Sequence, residues 1–167
     1  MMDVRSILRE LLTTSRLIVD RYISDMTCRE LLSRPGKVAN PSLWQLGHLV
    51  ASEVEMLELI GYPYSGVMPE HFTELHKKGS CPKSWGENIT DESFHLPYLQ
   101  LMKDVRAFTH QVLGAMADDE FGQPAPEKMR SYAEVKGSVF SMIASHECLH
   151  AGQLAVLRRE LNKPIVL

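Results

Sequence analysis

The chain reads as all-α, a four-helix bundle with a long crossover connection after the second long helix. Three observations carry that expectation. Four segments repeat apolar residues at three- and four-residue spacing, none shows the alternation of a strand, and the breaks between them hold Gly, Pro and helix-capping residues. No internal repeat interrupts the pattern.

In the first segment Leu8, Leu11, Ile18, Tyr22 and Ile23 lie on a helical stripe that starts at Val4, with Asp3 as N-cap, and the helix is expected to reach Met26. Thr27-Cys28-Arg29-Glu30 is a capping box opening a short helical turn, which Ser33-Arg34-Pro35-Gly36 ends. Asn40-Pro41 predicts the next start, with Asn as cap and Pro at the first helical position, where its missing N–H is harmless. That helix should run to Ile60 and stop at Gly61, with Leu43, Leu46, Gly47, Val50, Val54 and Leu57 facing the core and His48 on the flank.

Residues 62–90, which include Pro63, Gly66, Pro69, Gly79, Pro82 and Gly86, form a connection longer than ordinary loops. It is expected to cross the bundle and form the rim of a pocket, with a short helix between Pro69 and His76. After Thr90-Asp91-Glu92, the residues Tyr98, Leu101, Met102, Val105, Phe108, Val112 and Met116 predict the third long helix, ending before Asp118. Ser131-Tyr132-Ala133-Glu134 is a second capping box, from which the fourth helix should run to Leu161.

Composition bounds the function. At 167 residues the chain is one domain, residues 1–167, long enough to bury a core without staples. A net charge of -3 with no basic run gives nucleic acid no electrostatic footprint. Charges in the first ten residues and the lack of an 18-residue apolar run argue against a signal peptide and a membrane span. Cys28, Cys81 and Cys148 are odd in number and form no Cys-x-x-Cys, which suits a reducing cytoplasm and neither a disulfide framework nor a thiolate zinc site.

The chemistry concentrates in Ser145-His146-Glu147-Cys148-Leu149-His150-Ala151-Gly152-Gln153-Leu154. On a helix His146, His150 and Gln153 share a stripe with Val139, Met142, Ile143, Leu149, Leu154, Leu157 and Leu161, so two imidazoles and an amide point toward a core. Burying them unpaired costs about 1–3 kcal/mol each, and a divalent cation bound by His146 and His150, with Gln153 behind them, removes that cost. His48, on an otherwise apolar helix, is the candidate third ligand. Three His with an open fourth position make a catalytic metal site.

His146-Glu147-Cys148-Leu149-His150 also fits the His-Glu-x-x-His pattern of zinc peptidases, which makes Glu147 a candidate general base. The context opposes a peptidase. Position 153 is Gln and position 156 is Val where one peptidase class needs Gly and His, and Glu160 is the sole acid after His150. Glu147 otherwise reads as a solvated or interhelical residue, Cys148 as a small packing residue, Glu53 as structural, and His71 and His76 as solvated loop histidines in preference to groups that close over the metal.

Trp44-Gln45-Leu46-Gly47-His48-Leu49, then Ser52-Glu53, followed in the last helix by His146, His150 and Gly152-Gln153, resembles the DinB/YfiT-like superfamily, which includes bacillithiol- and mycothiol-dependent transferases. The resemblance implies an up-down-down-up bundle, often a homodimer, holding zinc or nickel on three histidines that correspond here to His48, His146 and His150. It implies a metal-dependent thiol S-transferase or hydrolase acting on a small molecule, with a low-molecular-weight thiol as a candidate co-substrate. The alternative is a non-catalytic dimeric bundle whose metal acts as a staple or a sensor.

Overall fold

The computed structural model describes residues 3–36 and 38–165. Six α-helices form: α1 (Val4–Ile23), α2 (Cys28–Leu31), α3 (Ser42–Leu59), α4 (Phe72–His76), α5 (Leu96–Ala115) and α6 (Lys136–Glu160). Short 3-10 turns at Asp118–Gly122 and Glu127–Met129 lie between α5 and α6. Strands are absent among the described residues, apart from one isolated bridge between Pro124 and Val135.

Side-chain pairs fix the directions of the long helices. Arg5, at the start of α1, donates to Met116 O at the end of α5 (3.0 Å), and Arg16 donates to Met102 O near the start of α5 (2.9 Å), so α1 and α5 are antiparallel. Ser15 meets Glu147 and Arg158 donates to Tyr22 O (2.8 Å), so α1 and α6 are parallel. His48 meets His150 while Met56 and Met142 line one cavity, so α3 opposes α6. The order is up-down-down-up. Two successive parallel helices, α3 and α5, require a crossover along the bundle, and residues 60–95 provide it.

Local signals decided some boundaries and tertiary hydrogen bonds decided others. Asp3 accepts from Ser6 N, and both halves of the Thr27–Glu30 capping box form. Asn40 does not cap α3: Pro41 takes the N-cap position without a side-chain bond, and the Asn40 carbonyl accepts from Gln45 instead (2.7 Å). The Ser131 capping box is not formed either. Ala125 N donates to Glu134 O and Lys136 N to Gln123 O, so Ser131 and Tyr132 stay in the turn that follows Met129 and α6 starts only at Lys136. At its other end α1 stops at Ile23, short of Met26.

The core has two apolar halves. Val19, Leu46, Met102 and Leu154 belong to one, and Leu12, Leu57, Leu113 and Phe140 to the other. Between them lies an ionic layer with a member from every long helix. Arg106 of α5 grips Glu53 of α3 through Nε–Oε1 (2.9 Å) and Nη2–Oε2 (3.1 Å) and reaches Glu147 of α6 (2.8 Å). Arg16 of α1 completes the ring at 2.8 Å from Glu147 and 3.5 Å from Glu53. Burial alone pushes the Glu53 carboxyl up, but the Arg106 guanidinium outweighs it and holds the group below its ordinary value. No helix is long and apolar enough to cross a membrane among the described residues.

Candidate metal centre

His48 comes from α3, one turn before the ionic layer, and His146 and His150 come from successive turns of α6. Their ligating nitrogens all lie within 4.8 Å of one another, and ring centroids are 5.1 Å (His48–His146), 5.5 Å (His48–His150) and 4.9 Å (His146–His150) apart. The three predicted ligands therefore converge, across two antiparallel helices, on one point.

Two of the three rings have a fixed tautomer. His48 Nδ1 lies 2.7 Å from the carbonyl of His76, and a carbonyl only accepts, so Nδ1 carries the proton and Nε2 is left with a free lone pair. His150 Nδ1 lies 2.8 Å from Gln45 Oε1. Gln45 donates its Nε2 to Asn40 O, which turns its oxygen toward His150, so Nδ1 again carries the proton and Nε2 is free. Partners that orient a ligand from behind in this way are characteristic of metal-binding histidines.

Burial supplies the second requirement, neutral rings. Loss of solvation, with His48 nearby, lowers the pKa of His146 to about 4. Loss of solvation, with His146 and His48 nearby, lowers that of His150 to about 3. The unfolded chain therefore binds more protons than the folded one from about pH 6.5 downward, so metal-free stability is intact above that pH and falls as pH drops through the folded values. Melting of chelator-treated protein should show a flat Tm above pH 7 and a drop of several degrees by pH 4.5. A Tm that is independent of pH over that range would contradict the burial described here.

The crossover builds the cover. Trp44 stacks on His48 (centroids 5.4 Å, planes 8° apart) and donates Nε1 to Leu75 O of α4 (3.0 Å). The His76 ring packs so closely on α3 that a Cβ at position 47 would overlap it, which is why Gly47 precedes His48. His76 Nδ1 donates to Phe72 O (2.8 Å), and its Nε2 pairs with Tyr98 Oη (3.3 Å). Its backbone carbonyl, rather than its ring, serves the site. His71 stays in solvent, paired with Glu70.

Other sequence-predicted residues fall elsewhere. Both carboxylate oxygens of Glu147 are engaged in the ionic layer, by Arg16 on one side and by Arg106 and Ser15 on the other. Gln153 lines the cavity beside His48 and His150, while the amide that holds His150 is that of Gln45. Leu149 and Cys148, expected to pack, are exposed, and Leu149 is 66% accessible. The buried face of α6 is Ile143, Glu147, Ala151, Leu154 and Arg158, a stripe with two charged members that sequence periodicity reads as surface.

An up-down-down-up bundle on which three histidines converge defines a class of helical metal-binding proteins. The chain belongs to the DinB superfamily, whose family model matches residues 11–154. No curated protein matches the sequence. The three-histidine group of His48, His146 and His150 has the composition and spacing to hold a metal ion, which fits a DinB-like protein.

Proposed function

We propose that the protein is a metal-dependent enzyme acting on a small molecule, a thiol S-transferase in preference to a hydrolase, with zinc or nickel held by His48, His146 and His150. The observation that carries this reading is access: His48 and His150 line a cavity of about 300 Å³ that opens to solvent between α3, α6 and the crossover. The candidate ligand group among the described residues stops at three histidines, which suits an open position more than a closed structural site.

A divalent cation bound there supplies Lewis acidity, which lowers the pKa of a coordinated thiol or water. Among the described residues no carboxylate lines that cavity to take a proton. Glu147, tied to two arginines, serves as a bridge between helices rather than as a base, and that removes the main support for a peptidase. A thiol loses its proton more readily than water and needs the missing base less, so thiol transfer is favoured. In such a transfer the thiolate sulfur forms a bond to an electrophilic carbon, the bond to the leaving group breaks, that group departs with the electron pair, and the thiol proton goes to solvent.

We also place the protein in the cytoplasm, in keeping with its three free cysteines, and as a homodimer through the α1–α6 face. There the exposed Leu11 and Leu149 border a cavity of about 440 Å³ floored by Ser15, Ala144 and Cys148.

The test is to load the protein with cobalt(II), measure metal per chain, and add 2-mercaptoethanol. About one ion per chain and a saturable thiolate-to-cobalt absorption band, both lost in His146→Ala, are expected. Metal uptake without any thiol band would favour the stapled-bundle alternative. Less than about one ion per three chains would end the metal reading.

A further inference from the structure

The histidine cluster faces two cavities of different chemistry. His48 and His150 line the first, of about 300 Å³, together with Asn40, Gln153 and Lys78, with no acidic side chain among the described residues. His146 lines the second, of about 170 Å³, together with Met56, Leu59, Tyr132, Met142 and Glu55. Along α3 the first is lined by Trp44, Gln45 and His48 and the second by Ser52, Met56 and Leu59; along α6 the first is lined by His150 and Gln153 and the second by Met142 and His146. The two cavities therefore lie in succession along the groove between α3 and α6 with the cluster between them, and the pair is termed a trough. From Met142 to Gln153 along α6, at 1.5 Å per residue, the trough spans roughly 16 Å.

Its ends differ in charge as well as in polarity. Among the described residues Lys78, delivered by the crossover, is the formal charge lining the first lobe, and imidazole ligands bring no negative charge to offset a bound cation beside it. The second lobe carries Glu55 at its rim and a floor of two thioethers and a leucine beside the Tyr132 ring, soft apolar surface that adapts to flat or branched groups. An anion is drawn to one end and repelled from the other.

We propose that this trough orients an amphipathic substrate set: an anionic group, carboxylate in the simplest case, pairs with Lys78, and an apolar alkyl or aryl group lies on Met56, Met142 and Tyr132, so that the reacting atom is presented at the histidine cluster between them. Resting on the metal-enzyme reading for its function, the assignment makes Lys78 and Met142 specificity-determining residues.

The experiment uses phenylhexanoate, whose carboxylate and phenyl ring are far enough apart to occupy both lobes, with hexanoate and phenylhexanol as probes lacking one end each. Calorimetric titrations are run on metal-loaded and on metal-free protein. Phenylhexanoate should bind about tenfold more tightly than either comparison probe in both forms. Lys78→Glu should abolish the gain due to the carboxylate and leave that due to the ring. Met142→Ser should do the reverse, and Glu55→Lys, at an exposed position, should draw hexanoate into the second lobe. Equal affinities for the three probes, within twofold, or gains that survive both Lys78→Glu and Met142→Ser, would overturn the proposal. Discrimination in metal-free protein that takes up no cobalt would uphold the trough and reject the metal reading, so the two failures are distinct.

Discussion

Arg106→Met lowers Tm by roughly 10 °C, the largest stability effect expected of any single substitution outside the apolar core. Arg106 is buried and holds Glu53 bidentately, Glu147 through Nη2 and the Leu12 carbonyl through Nη1. Its burial favours loss of the proton, yet Glu53 and then Glu147 outweigh that and raise its pKa, so the guanidinium is firmly charged. Removing it leaves two buried carboxylates to share Arg16, and breaking a buried ion pair from one side costs about 3–5 kcal/mol. For a chain of this size each kcal/mol moves Tm by about 2–4 °C.

The same argument gives a contrasting double expectation. Converting all four charges together, Arg16→Met, Glu53→Leu, Arg106→Met and Glu147→Leu, should recover most of the lost stability, because no uncompensated ion remains and apolar side chains of similar size pack well. Circular-dichroism melts of the two variants decide the matter. A single-variant loss below about 3 °C would show that water or a neighbouring group relieves the carboxylates. A quadruple variant less stable than the single one would show that the layer contributes more than its desolvation costs.

That layer also marks the limit of what the sequence discloses. Helix number, order and the crossover were readable because apolar periodicity and loop length are local or nearly local signals. The caps at Asp3 and Thr27 were readable for the same reason. Asn40 and Ser131 carry equally good capping patterns, but the Gln45 side-chain amide and backbone bonds to residues 123–125 engage those segments first. On α6 the stripe drawn from apolar residues included exposed Leu149 and omitted buried Glu147 and Arg158, because a charged residue at a core position looks like surface until its partner on another helix is known.

The site shows the same division. The histidines stood out by type, by spacing and by the family resemblance, and the fold brings all three together. The residue holding His150 did not, since Gln153, three positions along the same helix, was the local choice while the actual acceptor reaches over from α3. One signal pointed the right way: Gln45 lies three residues before His48, amid the leucines of α3, where an amide needs a partner as much as the histidines do. The carbonyl of His76 left no signal, because any residue type supplies one.

His150→Ala should reduce metal loading to below about a tenth of an ion per chain at micromolar metal, while Gln45→Leu should weaken affinity by about 10–100-fold and leave the stoichiometry reachable at high metal. The two differ because His150 provides an electron pair and Gln45 only aims it. With Leu at position 45 the Nδ1–H loses its acceptor, the ring is free to turn or change tautomer, and Nε2 faces the cluster for only part of the time. Gln45→Glu keeps an acceptor in place and should retain most of the affinity, although Asn40 O then loses its donor. Competition titrations against a chromophoric chelator read all three, with melting curves confirming that each variant is folded. If Gln45→Leu bound metal as tightly as the parent protein, the orientation of His150 would have to come from the packing of its ring against His48 and His146. The Gln45 hydrogen bond would then belong to the joining of α3 and α6 rather than to the metal centre.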